Sequence, residues 1–227
     1  KAGIHRWYWR MDEKGVQRPR RSLRKSKVEP SGVSVLPGTY TIKGALGESS
    51  NETAINVAFD PRLTYDKGAL RSVYNAQKEL ESLTERAAEA VRQLLESKQS
   101  VSALSKQFQE SDKEGFKEAI KQSKEMTKEI DKLVAIFLGS IDKRQGITRN
   151  PEITVSSRIS GAYRYVASRK TQISATETRL MQFAKDDLNE ALKKVNSFYE
   201  EQWSKYQEDM MKLEINPFKE IQTFKTK

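Results

Sequence analysis

The chain has 227 residues, of which 32% are charged and 36% hydrophobic, and it carries a net charge of +10. It contains no cysteine and one histidine, His5, which excludes disulfides, thiolate metal sites, a cysteine nucleophile and any Ser-His-Asp triad without His5. The longest wholly apolar run has six residues, whereas a membrane-spanning helix needs about 20. No secretory leader is visible, and because the chain opens without Met we expect a mature or excised piece of a longer protein.

Residues 1–63 are predicted to form β structure. The stretch Ile4–Arg10 is rich in aromatic residues, which fit the pleated surface of a strand. Asp12–Gly15 has the composition of a turn. The segments around Tyr40 and over residues 53–59 alternate polar and apolar residues, as half-buried strands do. We therefore expect a small antiparallel β module.

Three or four strands leave one face of this sheet bare. Either the helices cover that face, or sequence that precedes Lys1 supplies a second sheet. We expect Trp7, Trp9 and Tyr40 to lie in the core of the module rather than to stack on a ligand. The reason is that aromatic residues supply most of the buried area in small β sandwiches.

A basic segment lies between the first two predicted strands. Its ten residues hold six cations, Arg18, Arg20, Arg21, Arg24, Lys25 and Lys27. Such clusters can bind phosphates or acidic polymers, yet this segment has no aromatic residue to interleave with its cations, as single-strand binders do. We predict a solvated loop whose association with polyanions is weak and salt-sensitive at most, with these six residues as the candidate contacts.

Residues 64–214 are predicted to be helical. Apolar residues recur every seven positions from Val73 to Phe108, and a second series from Ala76 to Leu104 interleaves with the first. Both series therefore share one stripe of a single long helix. Because each residue adds about 1.5 Å, such a helix is too long to bury its stripe against a small core. It therefore has to lie along partner helices. Short links favour packing within the chain over a free parallel coiled coil.

Three further helices are predicted. The second helix carries seven-residue series between Phe116 and Phe137, and a shorter helix covers about 155–167. Ser174 followed by Glu177 is a capping-box signature that begins a last long helix. Together these segments predict an antiparallel bundle of long helices.

The sequence contains no recognisable catalytic motif. Phosphate-binding loops, dinucleotide fingerprints, HExxH zinc motifs and GxSxG nucleophile elbows are absent from its 227 residues. The carboxylates of the helices lie on charged faces among lysines, so no pair is singled out for glycoside hydrolysis. We predict no catalytic, cofactor-binding or metal-binding residue, and hence no enzyme, in this chain.

The predicted strands carry a family resemblance. The sequences GIHRWYWRM at 3–11, LPGTYTI at 36–42 and FDPR at 59–62 resemble the end of bacterial sortilin-like proteins. These are large β-propeller proteins of the Bacteroidetes type with BNR repeats, often labelled glycosyl hydrolases, in which such strands belong to an Ig-like module followed by a helical region. The likeness spans the chain in order, but its sharp motifs lie in the first 62 residues. The basic segment departs from the family in its high charge, and no catalytic residue of the family maps onto this chain.

Residue patterns and resemblance together predict an α+β fold. It comprises a partial Ig-like, antiparallel β module at 1–63, an antiparallel long-helix bundle at 64–214 and a C-terminal tail at 215–227. The resemblance further implies that a propeller precedes Lys1 and that the protein is exported to the periplasm, the cell surface or the medium. Its partners would then be its own propeller and, through the bundle, another protein or a second copy of the chain.

Three functions remain open from the sequence. The favoured one is a non-catalytic structural or interaction module at the C-terminal end of an exported β-propeller protein. The first alternative is a nucleic-acid or polyanion-binding protein that uses the 18–27 segment, although Lys and Glu balance along the long helices and argue against nucleic acid. The second alternative is part of a glycoside hydrolase whose active site lies in missing N-terminal sequence.

Overall fold

The computed structural model describes residues 3–24, 26–62, 64–110, 116–141 and 152–213. Lys25 and the predicted tail 215–227 lie outside these residues. In the described residues four strands come first, β1 (Asp12–Lys14), β2 (Ser31–Ser34), β3 (Gly38–Leu46) and β4 (Ser49–Val57). The helices that follow are α1 (Lys67–Glu110), α2 (Phe116–Leu138), α3 (Val155–Ala167), α4 (Ala175–Ser197), a π-helix (Phe198–Trp203) and α5 (Ser204–Met211). The predicted α+β class with a helical bundle is confirmed.

The chain divides into two compact units. The first unit comprises Lys1–Arg18, Lys25–Arg86 and Ser156–Asp186, and the second comprises Pro19–Arg24, Ala87–Val155 and Asp187–Lys227. Helices α1 and α4 each contribute their first part to the first unit and the remainder to the second. The domain boundaries drawn from the sequence, after residues 63 and 214, stay predictions.

The seven-residue stripe of α1 forms the helical core. Each of the eleven residues in its two series is buried or half-buried. Leu80, Ala87 and Leu94 have no exposed surface. A fully buried leucine contributes roughly 1.5–3 kcal/mol relative to an exposed one, so this stripe is a main source of the stability of the bundle.

In the second unit, α2 runs antiparallel to α1. Near one end Lys98 Nζ donates to Asp131 Oδ1 at 2.5 Å, and near the other the rings of Phe108 and Phe116 lie 4.8 Å apart. Helix α2 ends at Leu138. The next residue, Gly139, has a φ of +79°, in the left-handed region that glycine readily adopts and that is typical of the position after a helix.

The last long helix contains a π-helix that the sequence analysis did not predict. Buried residues follow α-helical spacing from Met181 to Phe198, and then return one residue late at Tyr206 and Met210. At the end of the π-helix the backbone N–H of Ser204 reaches a carbonyl five residues back rather than four. The wider turn absorbs one extra residue and keeps Tyr206 and Met210 on the buried side.

The capping box predicted at the start of α4 is confirmed. The backbone N–H of Ser174 donates to Glu177 Oε2 at 2.9 Å, and the backbone N–H of Thr176 donates to Ser174 Oγ at 3.3 Å. The hydrogen bond from the Ser174 hydroxyl is the main cause that lowers the pKa of Glu177. Two backbone donors that would otherwise lack partners are thus satisfied at this helix end.

Two of the β predictions are wrong. Ile4–Arg10 forms no strand, and Asp12–Lys14, predicted as part of a turn, is strand β1, which pairs antiparallel with β2. The pairing shifts register between Asp12 and Lys14. Next to this irregularity the backbones approach so closely that a Cβ on Gly15 would lie 2.3 Å from the carbonyl oxygen of Ser31. Only glycine fits there. The close approach that it permits allows β1 and β2 to pair, although residues 12–15 have the composition of a turn.

An ion-pair cluster fastens β1 to α1 in the first unit. Lys78 Nζ donates to Glu13 Oε2 and to Glu81 Oε2, both at 2.9 Å, and the hydroxyl of Tyr74 donates to Glu13. The hydrogen bond from Tyr74, followed by that from Lys78, lowers the pKa of Glu13. These two acceptors raise the pKa of Lys78. Because Glu81 is buried, its pairing with Lys78 removes the cost of an isolated internal charge.

This cluster makes stability depend on pH. A carboxyl whose pKa is lowered in the folded state stabilises the fold above its ordinary value of 4.5, and that contribution is lost as the pH falls through the lowered value. We expect Glu13→Gln to reduce the free energy of unfolding at pH 7 by less than about 1 kcal/mol, because the pair is partly exposed to water. The reduction should be smaller at about pH 3, below the ordinary value of 4.5, than at pH 7. Urea titrations at both pH values, with Glu29→Gln as the exposed control, measure this; an equal loss at both would contradict it.

Candidate interaction surface

Strands β3 and β4 form a hairpin whose two faces differ in chemistry. They pair without interruption from Gly38 opposite Val57 to Leu46 opposite Ser49. Side chains alternate between the faces, and directly paired residues share a face. The apolar face carries Tyr40, Ile42, Leu46, Ile55 and Val57, together with Ser49, Asn51 and Thr53. The polar face carries Thr39, Thr41, Lys43, Ser50, Glu52 and Asn56, together with Ala45 and Ala54.

The apolar face is open to solvent. Leu46 is 86% exposed, and Ile42 and Ile55 are also exposed. Among the described residues, β3 and β4 pair only with each other. A two-stranded ribbon is marginally stable in water unless its apolar side packs against something. An exposed apolar face of this kind is more typical of a contact surface than of a surface that stays in water.

The aromatic segment at 4–11 leads onto the same face. The ring of Trp9 lies 5.4 Å from that of Tyr40, at an angle of 59°. Its Nε1 donates to the carbonyl oxygen of Asp12 at 3.1 Å, and the Tyr40 hydroxyl donates to the carbonyl oxygen of Leu36 at 2.5 Å. These bonds hold Trp9 and Tyr40 in fixed positions at the base of the hairpin.

The expectation that Trp7 and Trp9 belong to the core is wrong. Trp7 is 90% exposed and Trp9 39% exposed, while Tyr40 is half-buried. The physical reason is that residues 4–10 have no strand partner in the described part of the chain, so no pleated surface holds their rings inward. Ile4 and Tyr8 are likewise exposed. The hairpin's apolar face and residues 4–11 together are called the aromatic surface below.

The six basic residues proposed as polyanion contacts lie in the loop between β1 and β2. Five of them are described, namely Arg18, Arg20, Arg21, Arg24 and Lys27, and all five are exposed. Arg18 and Lys27 belong to the first unit, and the other three belong to the second. Arg21 donates to the carbonyl oxygen of Gly139 at the end of α2. That cation thus complements a helix C-terminus, which is a structural use of the charge.

The other ionisable groups with shifted pKa values act within the core or in ion pairs. Burial is the main cause that raises the pKa of Tyr199 and of Tyr206. Their hydroxyls form hydrogen bonds with the hydroxyls of Ser97, at 2.9 Å, and Ser123, at 2.8 Å. These tyrosines are therefore protonated and bonded between helices of the second unit, which suits packing rather than proton transfer.

The described residues contain no group of three His, Cys, Asp or Glu side chains arranged to hold a metal ion. A groove of about 450 Å³ in the second unit, between α2 and the last long helix, is lined mainly by charged side chains such as Glu129, Glu190 and Lys194. Glu129 pairs with Lys132, and Glu190 with Lys194. The groove thus presents paired surface charges, and the aromatic surface remains the stronger candidate site.

No protein-family model, no curated protein and no solved structure matches this chain. Within the described ranges, no helix is both long enough and apolar enough to pass through a lipid bilayer. What the chain does must therefore be inferred from its own residues and geometry.

Proposed function

We propose that the chain is a non-catalytic structural and interaction module, the C-terminal part of an exported β-propeller protein. In this proposal its aromatic surface docks against the polypeptide that precedes Lys1. The observation that carries the proposal is the hairpin with one apolar and one polar face, whose exposed apolar face contacts Trp9 through Tyr40.

The support is first energetic. Each apolar side chain of the aromatic surface that moves from water to an interface contributes about 25 cal/mol for every Å² buried. Aromatic residues dominate such contacts because they carry large area at low cost in conformational entropy. A face that carries Tyr40, Ile42, Leu46 and Ile55, with Trp9 against Tyr40, has the composition of an interface centre.

The support is secondly positional. Residues 4–11 lead directly into β1, and Glu13 of β1 is fastened to α1 through Tyr74 and Lys78. A domain attached before residue 4 would therefore meet the aromatic surface at once, with only a short linker to order. The resemblance of the strands to the end of sortilin-like proteins supports the proposal that this domain is a propeller and that the whole protein is exported.

Tryptophan quenching tests the docking. A longer chain that includes the upstream part of its reading frame should protect Trp7 and Trp9 from acrylamide, whereas the 227-residue chain should leave Trp7 fully quenchable because it is 90% exposed. Ile42→Asp, on the apolar face, should restore quenching in the longer chain, because docking would bury an unpaired charge. Thr41→Asp adds the same charge to the polar face and should change little.

Two outcomes would defeat the proposal. One is equal quenching of Trp7 in the long and short chains. The other is an upstream reading frame that encodes neither an export signal nor propeller repeats. Protection of both tryptophans that is lost in Ile42→Asp and kept in Thr41→Asp supports docking through the apolar face.

A further inference from the structure

The loop between β1 and β2 is long for a connection between paired strands. The backbone N–H of Gly15 donates to the carbonyl oxygen of Pro30 at 3.0 Å and closes the base of the loop. The described residues of the loop, 16–24 and 26–29, contain no helix or strand and form no backbone-to-backbone hydrogen bond. Loops longer than about 12 residues without such structure are uncommon in compact domains and are commonly functional.

The second half of this loop is continuously exposed. Ser26, Lys27, Val28 and Glu29 are all exposed, and Val28 is 74% exposed. The backbone N–H of Val28 donates to the hydroxyl of Ser26, two residues away, at 3.1 Å. Within the described residues no hydrogen bond ties 26–29 to a helix or strand. The stretch can therefore adopt an extended form without breaking a strand ladder or a helix.

The first half of the loop is more constrained. Pro19 and Leu23 are half-buried, and Arg21 donates to the carbonyl oxygen of Gly139. These contacts belong to the second unit, which includes Pro19–Arg24. Apart from Arg21, Lys27 is the described cation of the loop that has exposed residues on both sides.

An exposed lysine in an extended stretch is what a lysine-specific endopeptidase requires. Such enzymes select their substrate through a pocket for the residue before the cleaved bond, and an acidic group in that pocket would pair with the ammonium group of lysine. Exposed loops with small and polar residues are preferred sites of proteolytic nicking.

We propose that the Lys27–Val28 peptide bond is a processing site for an endopeptidase that cleaves after lysine. Water adds to the carbonyl carbon of Lys27, and the bond from that carbon to the nitrogen of Val28 breaks. The products are a carboxylate on Lys27 and an ammonium group on Val28, which takes up both protons of the water. The site does not rest on the proposed docking of the aromatic surface.

Contacts across the cut would hold the two pieces together. Residues 1–27 retain β1, and residues 28–227 retain its partner β2. Glu13 of the shorter piece accepts hydrogen bonds from Tyr74 and Lys78 of the longer piece. All these contacts lie within the first unit. We therefore expect cleavage to replace the covalent link between the two pieces by a non-covalent one.

Limited digestion of the full 227-residue chain with a lysine-specific endopeptidase, followed by mass spectrometry, tests the site. Fragment 1–27 should form about tenfold faster than fragment 1–14, because proteolysis follows the population of opened chain. Lys14 is also exposed but lies in β1, which would have to leave its partner strand before it could be cut. Lys27→Arg keeps the charge and should abolish fragment 1–27, whereas Lys14→Arg should leave its rate unchanged.

Equal rates for the two fragments would overturn the proposed site, as would a faster cut after Lys25 than after Lys27. Gel filtration of the cut protein at pH 7 tests the association of the pieces, and we expect 1–27 to elute with 28–227. Glu13→Gln should release severalfold more of the short piece, whereas Glu48→Gln, at an exposed position of the first unit, should not. Free 1–27 from the cut protein without substitutions would overturn the association.

Discussion

Replacing Leu94 with alanine is expected to lower the free energy of unfolding by about 2–5 kcal/mol, measured by urea or thermal denaturation. Leu94 lies on the stripe of α1 and has no exposed surface. The substitution removes buried apolar area and leaves a cavity that the long, regular helix cannot easily collapse. Leu94→Met retains the volume and should cost less than about 1.5 kcal/mol.

Leu104→Ala is the matched control for this prediction. Leu104 belongs to the second series on the same helix but is only half-buried. Its replacement removes the same atoms from a site that already contacts water, so the loss should be less than half of that for Leu94. Equal losses, or a loss below about 1 kcal/mol for Leu94→Ala, would contradict the role of the stripe as the core of the bundle.

The helices could be predicted closely because their signal is local and repeated. The seven-residue series of α1 extends over many turns, so single ambiguous residues such as Ser97 do not disturb it. The bounds of α3, predicted at about 155–167, coincide with the structure because apolar spacing defines the helix along its whole length. The start of α4 was also predictable, because the capping box at Ser174 involves a hydrogen bond to a residue only three positions away, Glu177.

The short strands were harder because their signal depends on distant partners. An aromatic stretch such as residues 4–10 has strand propensity, but a strand exists only where another strand pairs with it. Conversely, Asp12–Lys14 looks like a turn by composition and becomes β1 because glycines 15 and 32 permit close backbone approach to β2. That pairing joins residues about 20 apart and leaves no periodic mark in either segment.

The aromatic surface and the basic segment differ in how far the sequence reveals them. Alternation in β3 and β4 predicts one apolar face, but only the structure reveals that this face is exposed. The cations of the basic segment are close together in the sequence and are therefore easily recognised. In the structure, however, its residues belong to both units.

Deleting Glu200 from the π-helix is expected to leave the protein folded, with a change in the free energy of unfolding within about 1 kcal/mol. The π-helix accommodates one residue more than an α-helix of the same length would hold. After the deletion a regular α-helix would bring Tyr206 and Met210 to the positions that they already occupy on the buried side. Glu200 itself is exposed, so no core contact is lost with it.

Deleting Lys193, which is also exposed, provides the control with the larger effect. This residue lies in α4, where the spacing of buried residues is regular, so its removal rotates Val195 and Phe198 by about 100° off the stripe. The loss of both from the core should cost more than about 3 kcal/mol. Denaturation curves of the two deletions, with near-UV circular dichroism as a check on the packing of Trp203 and Tyr206, decide the matter. Similar costs for both deletions would mean that the π-helix does not serve to restore the phase of the stripe.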